Sequence, residues 1–295
     1  MLSRVADSIY WMSRYIERAE NVARFVDVNL NLMLDFPGTS DQQWQPLVDI
    51  SGDTKDFEER YGDASQETVI RFLTFDTKNP NSILSCVRTA RENARSVREI
   101  ISSAMWEHLN QSYLMLTAAA ARRELSDPHE LFTSVKIASQ AFTGVTDTTM
   151  THNEGWHFCR LGRQLERADK TSRILDVKYF LLLPKVDDIG TTVDDVQWAA
   201  VLRSASAFEM YHKRHGRIAP SKIVEFLLLD EEFPRAIHHS VKAAGESVHA
   251  ITGTPPAMFR GPVEQLLGLL CPELAYAQVD DIIAGGLHEY LDALQ

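Results

Sequence analysis

Apolar residues return every three or four positions through most of this chain, and no stretch shows the strict alternation of a half-buried strand. Near the start, Val5, Ile9, Met12, Ile16, Ala19, Ala23, Val26 and Leu30 fall on helical spacing, which predicts a long helix from about Leu2 to Leu34 that ends at Pro37-Gly38. A more polar stretch follows, anchored by Trp44 and Leu47 and closed by Tyr61-Gly62. Glu67 to Phe75 reads as a short helix stopped by Asp76-Thr77-Lys78-Asn79-Pro80. Asn81 or Ser82 can cap the next helix, because either side chain accepts from its unpaired first N–H groups.

That helix is expected to reach about Ser103, with another over Trp106 to Arg123. Asp127-Pro128 opens a further one, Asp suiting the cap and Pro the first turn. In the second half a long helix is expected over Trp156 to Leu183, stopping at Pro184. A polar linker leads to helical stretches near Val193 to His212, Ser221 to Leu229, Phe233 to Ala250, Val263 to Leu270 and Ala275 to Leu294. The chain reads as all-α, a bundle of about ten helices.

One stretch of the first helix recurs. Arg14, Glu17, Arg18, Ala19 and Arg24 return 149 positions later as Arg163, Glu166, Arg167, Ala168 and Arg173, with Glu20 as Asp169. Asp27-Val28 is matched by Asp176-Val177. A second series lies at 154 positions: Gln43-Trp44 with Gln197-Trp198, Arg60-Tyr61-Gly62 with Arg214-His215-Gly216, and Phe72, Leu73, Asp76 and Pro80 with Phe226, Leu227, Asp230 and Pro234. The loop after Pro184 can absorb the difference. A collinear series of this kind points to an internal duplication: two pseudo-twofold-related halves, residues about 1–150 and 151–295, sharing one domain over 1–295.

Within the first helix, Arg14, Glu17, Glu20, Asn21 and Arg24 share an arc of roughly 120° opposite the apolar side, at about 100° per residue. Glu20 and Arg24 are neighbours one turn apart, as are Asp169 and Arg173 in the copy. Three roles are open for these arcs. They can be solvated faces carrying ion pairs worth about 0.3–0.5 kcal/mol each. They can be Arg–carboxylate networks that fix helix register. Or they can line a polar pocket whose arginines hold a carboxylate or phosphate. Arg88, Arg91, Arg95 and Arg98, one turn apart on their own helix, can add to either of the last two.

Composition narrows the field. The 295 residues are 44% hydrophobic and 24% charged, ordinary for a globular protein, and the net charge of −11 disfavours nucleic acid and anionic membranes as partners. The longest apolar runs, such as Tyr179 to Leu183, are too short to span a bilayer. Arg4 and Asp7 interrupt the opening stretch, so no signal peptide is expected, and Cys86, Cys159 and Cys271 read as buried thiols of a reducing compartment. A cytoplasmic protein is the expectation.

Motifs for chemistry are few. No Gly-rich phosphate loop, Cys-x-x-Cys or Gly-x-Ser-x-Gly occurs, and no cofactor is expected. Glu154-x-x-His157 and Glu246-x-x-His249 have di-iron spacing. The 154-residue offset, however, pairs Glu246 and His249 with Glu92 and Arg95, and arginine is no metal ligand. No metal site is expected. Adjacent His238 and His239 point about 100° apart on a helix, a poor metal pair. Trp11, Trp106 and Trp156 are expected as core or interface anchors.

Several motifs together resemble the bacterial alpha-E family over nearly the whole chain. They are Met1-Leu2-Ser3-Arg4-Val5-Ala6, Tyr10-Trp11-Met12, Arg14 to Glu20, Arg71-Phe72-Leu73, Ala90 to Arg95, Gly162 to Asp169, Phe226 to Asp230 and Phe233-Pro234-Arg235. The resemblance implies an all-helical protein with Glu-x-x-Arg motifs, which Glu92 and Arg95 match most directly. It also implies genes beside those for circularly permuted ATP-grasp proteins and transglutaminase-like peptidases. The expected function is a non-catalytic binding or accessory module for an ATP-grasp amide ligase that makes or modifies a peptide or small amide-bonded metabolite. Two alternatives stand: an enzyme using Glu17, Glu92 or Glu166 in a polar pocket, and a purely structural interaction protein. No activity is established for the family, so it supplies no catalytic residue. The candidate ligand-binding or structural network comprises Arg14, Glu17, Arg18, Glu20, Arg24, Glu92, Arg95, Arg163, Glu166, Arg167, Asp169 and Arg173.

Overall fold

A computed structural model describes residues 1–35, 44–122, 127–181, 192–256 and 258–295. Every regular element among them is an α-helix, and the chain divides into two compact units, Met1–Arg163 and Gln164–Gln295. The boundary falls inside the helix α8 (Glu154–Leu181), thirteen residues beyond the expected start of the second repeat.

In the first unit α1 (Ser3–Asp35) packs against α5 (Ile83–Ser96) and α7 (Pro128–Thr149), and α6 (Ser103–Ala120) packs against both α5 and α7, closing a four-helix ring. Neighbours run antiparallel: Ser8 at the start of α1 meets Ser96 at the end of α5, and Ser102 before α6 meets Thr149 at the end of α7. Ile9, Met12 and Val26 of α1, Met105 and Leu116 of α6 and Phe132 of α7 are sealed in the centre. Three short helices, α2 (Gln45–Ser51), α3 (Thr54–Tyr61) and α4 (Gln66–Thr74), join α1 to α5 and bury Trp44, Phe57 and Phe72.

The helix starts follow local chemistry. Ser82, one of the two expected caps, accepts from the backbone N–H of Ser85, and Asp127 accepts from those of His129 and Glu130, with Pro128 in the first turn. Gly162 sets the approach of α8 to α1, since a Cβ there would collide with the carbonyl of Tyr10.

The second unit contains the rest of α8, then α9 (Thr192–Ser204), α10 (Phe208–His215), α11 (Pro220–Leu229), α12 (Ile237–Thr252), α13 (Pro262–Tyr276), α14 (Val279–Gly285) and α15 (Leu287–Leu294). Here α12 lies against α13 and α11, and α14 links α11 to α15. Thr54, Gln66 and Ile83 begin α3, α4 and α5. Phe208, Pro220 and Ile237, each 154 positions further on, begin α10, α11 and α12.

Fifteen helices among the described residues correct the expected ten: the polar stretch after α1 folds as α2 and α3, and two expected helices are each broken in two. The stretch near Val193 to His212 breaks at Ser206, whose φ is +52°, and Ala275 to Leu294 breaks at Gly286, whose φ is +104°. The helix expected to reach Ser103 stops at Ser96, because Ser102 caps the following one. In the other direction α13 runs on through Pro272 to Tyr276. The expected stops at Pro37-Gly38 and Pro184 lie outside the described residues.

The contact at Gly162 gives a direct test. Gly162→Ala is expected to destabilise the protein by about 1–3 kcal/mol, because a backbone carbonyl cannot yield as a side chain can. Denaturant unfolding checks this, and a stability within about 0.5 kcal/mol of the parent, as for an ordinary surface change, would contradict it.

Candidate functional site

The charged arc of α1 is not a solvated face. Nine consecutive residues, Ala19 to Asp27, are buried, and among them are Glu20, Asn21, Arg24 and Asp27. Glu17, 1% exposed, lies one turn earlier. The wheel groups these residues correctly, but α5 and α7 cover the helix they sit on. Glu20 and Arg24 form the ion pair that their one-turn spacing predicts. Asp27 accepts from Lys136 Nζ at 2.6 Å and from His129 Nδ1, tying the end of α1 to the start of α7.

Arg14 donates to the Tyr10 hydroxyl and lies over the Trp11 ring at 5.2 Å. Arg18 donates to Asn81 Oδ1 at 2.7 Å, holding the turn before α5. Arg163 lies near Asp147, and with Glu17, Cys159 and Thr146 it borders a cavity of about 10 Å³. That volume accepts one water at most.

The matching stretch of α8 has part of the same chemistry within the second unit. Glu166 is fully buried. Asp169 pairs with Arg173 at 3.0 Å and Lys170 at 3.3 Å. Burial pushes the Asp169 carboxyl up, but the two cations outweigh it and hold the group below the usual carboxylate range. Arg167 donates to the backbone carbonyl of Pro234 in the turn before α12, much as Arg18 reaches the Asn81 side chain before α5. Asp176, the counterpart of Asp27, also takes a histidine, accepting from His288 Nδ1 at 2.7 Å.

Glu92 and Arg95 belong elsewhere. Their side chains are 46% and 66% exposed, and Glu92 pairs with Arg91 and Arg95 on the surface of α5. Arg91 also donates to Asn110, and Arg91 and Arg98 both cover Trp106, fastening α5 to α6. Trp106, like Trp11 and Trp156, is half-buried under guanidinium groups, whereas Trp44 and Trp198 are the buried tryptophans.

Other candidates are absorbed by the fold. His238 uses Nδ1 on the carbonyl of Leu229 at the end of α11, His239 uses it on that of Glu231 in the turn beyond, and His249 contacts that of Thr254. Cys86 and Cys159 are buried, and burial pushes the Cys159 thiol up to about 11, which suppresses the nucleophilic thiolate. Among the described residues no group of three or more His, Cys, Asp and Glu side chains could hold a metal ion.

The structure also brings out an arrangement that the motifs did not single out. Arg60 at the end of α3 pairs with Asp76 after α4 and lies over the Phe72 ring at 5.2 Å. Arg214 at the end of α10 pairs with Asp230 after α11 and lies over Phe226 at 5.4 Å. In both turns the second carboxylate oxygen receives a backbone N–H two residues on, from Lys78 in one and Glu232 in the other. The ring stacks correspond as well: Phe57 with Tyr61 in the first unit, Tyr211 with His215 in the second. All these residues lie 154 positions apart. Their signal was present in the matched Arg-aromatic-Gly and Asp positions, whose 154-residue spacing aligns them without showing what the residues touch.

The fold and the site together define an all-α helical protein with buried acid–base pairs on two of its long helices. The chain belongs to the Alpha-E family, "a predicted alpha-helical domain with a conserved ER motif", whose model matches residues 1–295. Adjacent Glu and Arg occur in this chain at Glu17-Arg18, Glu59-Arg60 and Glu166-Arg167, and the spaced pair at Glu92 and Arg95. Similar proteins include an uncharacterized protein of Mycobacterium bovis and two from strains of Mycobacterium tuberculosis, each 22% identical over 277 residues. The match takes in 85% of this chain but only 30% of each relative's length. No solved structure matches the chain. None of its described helices is long and apolar enough to cross a membrane.

The Asp176–His288 contact predicts a pH dependence. Its hydrogen bond raises the His288 pKa above the ordinary 6.5. The folded chain then holds this proton more tightly than the unfolded one. The stabilisation is full below about pH 6.5 and is lost as pH rises through the raised value. An NMR titration is expected to place His288 above 6.5 in the parent and to return it towards 6.5 in Asp176→Asn. A parent value at or below 6.5 would contradict the contact.

Proposed function

We propose that this chain is a non-catalytic binding or accessory module of an ATP-grasp amide ligase system that makes or modifies a peptide or small amide-bonded metabolite. The observation that carries this reading is the length of the relatives: their matching segment is 30% of a longer chain, as expected for a module that works beside another activity. The state of the charged arcs supports it. Glu20, Arg24, Asp27 and Asp169 are engaged with partners from their own unit, and the space beside Glu17 is water-sized. Acid–base chemistry needs a group that can reach a substrate proton.

In this reading the chain is one domain over 1–295 that arose by duplication. The equal spacing of three successive helix starts and the two Arg–Asp–Phe clamps favour that origin. An ATP-grasp protein is the primary partner, a transglutaminase-like protein a second one, and the cytoplasm, where ATP is available, the compartment.

Mixing the purified chain with an ATP-grasp protein of the circularly permuted type that the family resemblance implies, from the same organism, tests the module. A complex that co-elutes on size-exclusion chromatography at about 10 μM of each protein is expected, since interfaces of standard size commonly reach micromolar affinity or better. Absence of a complex, or turnover of peptide or amino-acid substrates by the isolated chain, would overturn the reading.

A further inference from the structure

The two clamps share a skeleton and differ at the rim. In the first unit Arg60 is fastened on one side by Asp76 and on the other by Asp56, one turn earlier on α3, and its side chain is 22% exposed. The counterpart of Asp56 in the second unit is Met210, and the counterpart of Glu59 is Lys213. Arg214 keeps Asp230 but has no acid one turn back, and its side chain is 44% exposed. Its second partner, Glu232, is 85% exposed and 3.0 Å away, an ion pair that solvent screens and a competing anion can replace.

Beside this arginine the second unit has a cleft of about 480 Å³ lined by Met210, Lys213, Arg214, Phe226, Glu232, Phe233 and Pro234. Phe226 and Phe233 are buried and supply an apolar floor, while Met210 stands at the rim, 44% exposed. Lys213 is exposed, and its side chain makes no ion pair or hydrogen bond among the described residues. The volume is that of a small-molecule or side-chain pocket.

We propose that this cleft binds a carboxylate carried next to an apolar side chain, as at the C-terminus of a peptide ending in an apolar residue. The carboxylate lies between Lys213 and Arg214, displacing Glu232, and the side chain lies on Phe233, Pro234 and Met210. Arginine offers paired donors that fit a carboxylate, and lysine adds a second charge. A phosphate would use the same cations but would leave the apolar floor without a partner. The ligand class deepens the reading of the chain as a module for an amide-forming system, in which carboxylates are the groups to be joined.

Isothermal titration of the full chain with N-acetyl-leucine tests the site without any partner protein. Failure here therefore leaves complex formation with a ligase intact, and failure of that complex leaves this titration intact. Saturable binding is expected near about 1 mM, with N-acetyl-leucine amide at least about tenfold weaker. Met210→Asp and Lys213→Glu each convert a rim residue to its first-unit counterpart, changes that the same skeleton already accommodates. Either is expected to weaken binding by about tenfold or more, and Glu232→Gln to tighten it several-fold. Retained binding by Ala-Ala-Ala-Leu assigns the ligand as a peptide C-terminus, whereas its loss assigns a free apolar acid. No saturable binding of N-acetyl-leucine up to about 10 mM, equal binding of the amide, or unchanged binding by both rim variants would overturn the proposal.

Discussion

Charge inside a helix that is covered on every side has to be neutralised by the protein itself, because taking one ion out of water costs several kcal/mol. From Ala19 to Asp27 the first helix has no solvent face, yet it carries Glu20, Arg24 and Asp27. Glu20 and Arg24 answer each other along the helix, while Asp27 is answered from α7 by Lys136 and His129. The second arrangement constrains packing more than an apolar contact does. An apolar seam tolerates a shift by one residue with modest loss, whereas the same shift of α7 would strand a buried carboxylate. The charges therefore specify how the first unit's helices align.

That constraint also separates framework from surface. Glu92 and Arg95 have the residue types of the buried arcs and none of their environment, and pairs so exposed contribute little. Where the framework reappears, it does so by position. Asp27 and Asp176 each receive a histidine from a later helix, and Arg18 and Arg167 each reach into the turn before the next long helix. The clamps at Arg60 and Arg214 hold a short helix to the turn sixteen residues on. What differs between the units is the rim of those clamps, where substitution leaves the supporting contacts intact and alters what the surface presents.

The helical character of the chain and the partners within α1 and α8 were legible from spacing alone, since one-turn neighbours follow from helix geometry. The burial of the arc was not. A wheel shows which residues share a face and says nothing of what covers it, and solvent and α7 are indistinguishable from within α1. The clamps escaped for a similar reason: Arg60 and Asp76 meet across a helix and a turn, and no local period connects them. Helix number was underestimated where a polar stretch folds as the short α2 and α3, and where the chain breaks without a proline at Ser206 and Gly286, both with positive φ.

The claim that the arc serves the fold rather than a ligand has a direct measurement, the coupling energy of Glu20 and Arg24 in a double-mutant cycle of glutamine substitutions. A structural pair predicts that the single changes are each strongly destabilising and the double change less so than their sum, with a coupling of about 1–3 kcal/mol in unfolding free energy. A coupling below about 0.5 kcal/mol in variants that remain folded would contradict it, because the two groups would then be held for something other than each other.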